Sequence, residues 1–147
     1  RLYQAYGPKQ DINRFIPIVV YACINKKTFD CSDGNQFRDF IHVKDVVASI
    51  LRAIKNSKAR GEILNIGTGK PKKIKNIINF LVKRLKGGKP IFGKIKLRSD
   101  EMKKIYPDLK KVKKVLKWSP KIKFSKGLEE TIKYYEKNKN NLSKIHK

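Results

Sequence analysis

Acidic residues are scarce in this chain: 12 Asp and Glu stand against 37 Lys and Arg among 147 residues, for a formal net charge of +25. That scarcity excludes chemistry needing several carboxylates. No spaced pair offers the acid and base of glycoside hydrolysis. Cysteine is equally thin. Cys23 and Cys31 form neither a CxxC nor a zinc pattern and read as free thiols of a reducing cytoplasm. No metal site is expected. There are two histidines. His42 lies in a strand-like stretch and reads as structural, and His146 lies in the tail, so no Ser-His-Asp or Cys-His constellation emerges. No apolar run approaches membrane-spanning length and no signal peptide is visible, which points to a cytoplasmic protein without a membrane partner. The single methionine is Met102, so a chain opening at Arg1 reads as a piece of a longer protein.

What is abundant is lysine. A charge this large implies affinity for polyanions. The lysines are scattered from Lys9 to Lys147, and aromatics are not interleaved with them as a base-stacking platform requires. The pattern reads as a solvated surface, with no specific nucleic-acid partner. A basic nucleic-acid-binding module is the competing class, although no RNP, zinc-finger or basic-zipper pattern supports it.

Periodicity sets out the elements. Arg1 to Tyr6 reads as a strand running into the Gly7-Pro8 loop. A helix follows with Pro17 in its first turn and Ile18, Val19, Ala22 and Cys23 at helical spacing. Phe29 to Asp33 returns as a strand and turn. A second helix spans about Asp45 to Lys55, with Val46, Val47, Ile50, Leu51 and Ile54 as one core-facing stripe. Glu62 to Ile66 reads as a strand, about Ile74 to Leu85 as a third helix ended by Gly87-Gly88, and Pro90 to Leu97 as a strand. Asp108 and Ser125 are candidate N-caps of two further helices. The second of these carries Phe124, Leu128, Ile132 and Tyr135 on one face. From residue 137 the lysine- and asparagine-rich tail reads as disordered, leaving residues 1–136 as the folded part.

The most informative stretch runs from Gly34 through Phe37-Arg38-Asp39-Phe40 to Asp45: turn, short strand, helix. Arg38 sits on ordered backbone beside Asp39, which could orient it. A guanidinium held this way suits a phosphate, because its fork of donors matches phosphate oxygens. The same residues also fit a purely structural Arg38-Asp39 ion pair.

The order and spacing of five pieces resemble one family. G-x-Q-x-R-D-F-I-H-V-x-D from Gly34 to Asp45 is similar to a central segment of extended short-chain dehydrogenase/reductase proteins, the NAD-dependent nucleotide-sugar epimerases and dehydratases. Arg1 to Pro8 resembles their R-x-x-N-x-Y-G-P, and Arg14 to Pro17 the helix start that follows. Gly61 to Gly69 resembles G-E-x-x-N-I-G-T-G, and Leu116 to Pro120 resembles L-G-W-x-P. The likeness covers Arg1 to about Tyr135.

The resemblance implies an α/β half-protein: the last strands of a Rossmann-like sheet plus a small mixed α/β substrate-binding domain. It implies that NAD or NADP is bound mainly by an N-terminal half not present in this chain. It implies a nucleotide-diphosphate sugar as partner and is compatible with a homodimer of the full-length enzyme. The family's reaction opens with hydride transfer to NAD, a tyrosine acting as base and a lysine lowering its pKa. That Tyr-x-x-x-Lys and the glycine-rich loop have no counterpart here, so no catalytic residue is assigned. Tyr135 to Lys139 and Tyr106 to Lys110 fit the spacing only by chance. Gly67-Thr68-Gly69-Lys70 is no Walker loop. By position, Arg38 matches the arginine holding the substrate diphosphate, and Arg98 is the candidate for a second. Gln4 stands where the family usually has a substrate-contacting Asn, the one departure that favours the further alternative of a non-catalytic homologue that lost the sugar site. Cys31 falls at a nucleobase contact, Asn65 near the substrate, and Tyr3 beside the nicotinamide end of the cofactor. Each also has a bland reading: core filling for Cys31, a packed strand aromatic for Tyr3, a turn residue for Asn65, an exposed ion pair with Asp100 or Glu101 for Arg98.

Overall fold

The computed structural model describes residues 1–139. β1 (Gln4–Tyr6) leads through a turn to α1 (Phe15–Ile24), then β2 (Thr28–Asp30), β3 (Phe37–Arg38) and β4 (Phe40–His42), which runs directly into α2 (Val43–Ile54). After a 3-10 turn at Ser57–Ala59 come β5 (Lys72–Lys73), α3 (Ile74–Leu85), β6 (Lys89–Ile91), β7 (Lys104–Ile105), α4 (Lys110–Leu116) and α5 (Phe124–Lys137).

The strands form three small sheets. β1 and β4 pair in parallel, with Gln4 opposite Phe40. β2 and β6 pair in parallel. β3 lies between antiparallel β5 and parallel β7. The class is α/β, with a parallel pair flanked by helices beside a smaller mixed part, as the sequence implied. One apolar cluster joins α1, α3 and α5 around Ile16, Val20, Ile78, Leu81 and Ile132. A second gathers Ile41, Val46, Leu64, Ile66, Val112, Leu116 and Trp118.

Several expectations change. Glu62 to Ile66 is not a strand: only Ile66 pairs, in an isolated parallel bridge to Leu2. The strand expected over Pro90 to Leu97 stops at Ile91, because Gly93 adopts φ +79° and turns the chain. Ser125 caps nothing. α5 begins at Phe124 with Lys123 as a cap residue that makes no side-chain bond. Asp108 does accept the Lys110 N–H, at 2.8 Å, one residue ahead of the formal cap. The α2 stripe is the largest departure. Val46 is buried, but Val47, Ile50 and Leu51 (53% exposed) are only half covered by the described residues, and Ile54 (75% exposed) is mostly bare. Four lysines, Lys9, Lys26, Lys86 and Lys117, adopt positive φ between 49° and 64°, a region glycine favours. Both cysteines are buried free thiols, and burial pushes the Cys23 thiol up to about 11. Lys137 still belongs to α5, and the tail expected to be disordered lies, from residue 140, outside the described residues.

Candidate functional site

Successive residues of an extended strand point to opposite sides, and this alternation builds the site. Arg38 and Asp39 therefore diverge, so the expected Arg38-Asp39 pair does not form. Asp39, fully buried, accepts the backbone N–H groups of Thr68 at 2.9 Å and Gly69 at 2.6 Å, and also the Thr68 hydroxyl. It pins the 67–70 turn. Gly67 has no room for a side chain there, since an added Cβ would lie 2.6 Å from the Pro107 ring.

Arg38 is 8% exposed and turns the other way. Its Nη1 donates to the carbonyls of Phe37 at 2.8 Å and Met102 at 2.9 Å, and its Nη2 pairs with the Glu101 carboxylate. Among the described residues, Nε–H and one Nη2–H have no hydrogen-bond partner. Two cavities meet at Arg38 and Gln4. One, of about 450 Å³, is also lined by Tyr3, Asn65 and Asp39. The other, of about 410 Å³, is walled by Phe15, Phe29, Phe40 and Ile78, with Cys31 and Glu101 on its surface. The structure thus brings together Tyr3, Gln4, Cys31, Arg38 and Asn65, residues spread over 63 positions of sequence. Arg98 is not among them. It is exposed on the segment after β6 and lines neither cavity. Its neighbour Glu101 reaches Arg38 instead.

Gln36 and Glu101 are among the lining residues not singled out as site candidates from sequence. Gln36 donates from Nε2 to Ser32 Oγ at 3.0 Å, while its Oε1 is buried without a partner. It lines the apolar cavity, as do Arg38 and Phe40. The two-residue period 36, 38, 40 was the available signal. Glu101 lies 63 residues from Arg38 and offers no such signal.

Neither Tyr-x-x-x-Lys match is poised for chemistry. The Tyr135 hydroxyl donates to the Gln10 carbonyl at 2.6 Å, and burial pushes its pKa up to about 12. Tyr106 lies outside any helix, half-exposed, with the Lys104 ammonium 5.1 Å from its ring centre. His42, buried, caps α2: its Nδ1 accepts the Lys44 N–H at 3.4 Å. Among the described residues no cluster of His, Cys, Asp and Glu could hold a metal ion, and no helix is long and apolar enough to cross a membrane.

Known proteins are similar to this chain in sequence and fold. The profile of the NAD dependent epimerase/dehydratase family matches residues 1–67. CDP-abequose synthase of Salmonella typhimurium is 34% identical over 140 residues, covering 90% of this chain and 46% of that protein. UDP-glucuronate 4-epimerase of Thermodesulfobacterium geofontis is 33% identical, covering 94% of this chain and 42% of its own length. The solved UDP-glucose 4-epimerase of Thermotoga maritima, with UDP-glucose, superposes with a TM-score of 0.84 at 27% identity, over 94% of this chain and 45% of that one. UDP-glucuronic acid 4-epimerase from Bacillus cereus, in complex with UDP-glucuronic acid and NAD, gives 0.84 at 28% identity, over 93% and 44%. The chain spans about half the length of the curated relatives it matches. Sequence order, fold and relatives agree, and residues 1–67 of the chain match the NAD dependent epimerase/dehydratase family.

Proposed function

We propose that this chain supplies the nucleotide-diphosphate-sugar-binding part of an NAD(P)-dependent sugar-nucleotide epimerase or dehydratase. The observation that carries the reading is the meeting of two cavities at Arg38 and Gln4. The apolar cavity, with Phe15, Phe29 and Phe40 on its walls and Cys31 at its edge, suits a nucleobase. The polar cavity, with Tyr3, Gln4 and Asn65, suits a sugar. Between them Arg38 stands where a diphosphate would lie, and its free N–H groups would give charge-assisted bonds. The relatives named for CDP, UDP and dTDP compounds support a pyrimidine nucleotide. Arg98, three residues before Glu101 on the segment that already reaches Arg38, would join the diphosphate once ligand phosphates displace the Glu101 carboxylate. A homodimer would belong to the full-length enzyme.

NAD accepts hydride in such enzymes when bound. The described residues do not form a site for it. The Thr68 and Gly69 N–H groups, the nearest thing to a phosphate cradle, are committed to Asp39. Tyr3 alone offers an edge. The cofactor would be held mainly by residues outside this chain, and no step of the chemistry is assigned within it.

Calorimetric titration with UDP and CDP of the wild type, Arg38→Lys, Arg38→Ala and Arg98→Ala tests the reading. Each alanine variant is expected to weaken binding by about 1.5–3 kcal/mol, the range for hydrogen bonds to charged groups. Lysine at position 38 should restore part of that loss, keeping charge without the planar fork. Arg38→Ala also strands Glu101, so circular dichroism must show that the variant is folded. Unchanged affinity in both alanine variants sinks the proposal.

A further inference from the structure

A third cavity, of about 560 Å³, lies between the 67–72 segment and the 119–125 segment. Lys70, Lys72, Lys113, Lys121 and Lys123 line it, and no carboxylate does. Among the described residues none of the five lysines forms an ion pair. Its apolar floor includes Phe40, Ile122 and Phe124, and Thr68, Ser119 and Ser125 add hydroxyls. Its volume lies within the range of small-molecule sites.

Both walls are built rather than loose. Asp39 holds the turn that carries Lys70, through the N–H groups of Thr68 and Gly69. Asp45, also buried, holds the opposite segment by accepting the N–H groups of Lys121 at 3.0 Å and Ile122 at 2.9 Å. Each carboxylate faces inward and fixes backbone whose lysines face the cavity. The cations are thus gathered on pre-ordered backbone, which lowers the ordering cost of binding. Phe40 is the one residue shared with the apolar cavity at Arg38.

We propose that this cavity is a second anion site, taking a small ligand that carries a chain of two or more phosphates. The reading does not depend on the nucleotide-sugar assignment, because none of its lysines lines the cavities at Arg38. Several phosphates answer several unpaired ammoniums, and an apolar floor beside them accepts a base or simply excludes water.

The test is calorimetry with inorganic triphosphate and, separately, adenosine triphosphate. The wild type is compared with a Lys72→Gln, Lys113→Gln, Lys121→Gln variant and with a control carrying Lys58→Gln, Lys83→Gln, Lys133→Gln. One exposed ammonium–phosphate contact is worth roughly a fivefold change in affinity, so the cavity variant should bind at least about tenfold more weakly. The triple variants are also made on Arg38→Ala, which silences the diphosphate site, and there the control should bind like its Arg38→Ala parent. Equal affinity for the two ligands assigns an inorganic polyphosphate, and tighter nucleotide binding assigns a nucleotide with its base on Phe124. Either supports the site. On the Arg38→Ala background, an equal loss in the control or an undiminished affinity in the cavity variant overturns it. So does a short oligothymidylate that outbinds triphosphate at the same lysines.

Discussion

At residue scale, the buried polar side chains divide by partner. Asp39 and Asp45 satisfy backbone N–H groups of loops that would otherwise have no fixed course. Arg38 is held from three directions. His42 differs: its Nε2 has no hydrogen-bond partner and lies 3.9 Å from Glu130 Oε2 on α5. Glu130 is itself engaged by Lys44 Nζ at 2.5 Å. Tyr6 from β1 stacks edge-on against the imidazole at 5.4 Å, and Asp45 and Lys44 of α2 are the remaining charged groups near it. Burial is the main cause that lowers the His42 pKa, with Glu130 opposing it and Lys44 reinforcing it. The fold therefore favours neutral imidazole, while the unfolded chain takes a proton near pH ~6.5. Stability should be complete above that value and fall as pH drops below it. His42→Asn keeps an acceptor for the Lys44 N–H, and asparagine is a good N-cap. It should flatten the slope. Urea midpoints for both proteins across this range test the idea, and parallel slopes would defeat it.

At the scale of elements, α3 and α5 were legible because each shows one apolar stripe at helical spacing and buries it. Ile74 to Leu85 was read with the bounds it has. The segment from Glu62 to Ile66 was not legible, since a strand exists only with a partner and only Ile66 has one. In α2 the sequence shows an apolar face but not what meets it. The same limit governed the site. Arg38 was found from its neighbours, and the alternation that separates it from Asp39 was available. Glu101 was not, because the pairing depends on where a distant segment folds back. The half-covered α2 face leads to an expectation. Leu51→Gln and Ile54→Gln should each change stability by no more than about 0.5 kcal/mol, as exposed positions do. Ile132→Ala, at a fully buried position, should cost about 2–5 kcal/mol. Denaturant titration separates the cases. A large loss at Leu51 or Ile54 would mean that the face is covered within this chain.

For the whole molecule, charge dominates behaviour in solution. A net +25 attracts polyanions without reading them. Binding to nucleic acid is expected to fall steeply between about 50 and about 200 mM salt and to show no sequence preference. Filter binding with two unrelated duplexes checks this, and a preference that survives the higher salt would favour the basic-module reading. The four left-handed lysines bear on the same charge. An L-residue held in that region costs about 1–2 kcal/mol, and Lys9, Lys26, Lys86 and Lys117 all occupy it. Glycine would relieve the backbone, with only part of the gain lost to its looser unfolded chain. Each such replacement also removes one cation. For an engineer, then, hardening this protein against heat and making it less adhesive to nucleic acid lie along a single mutational path.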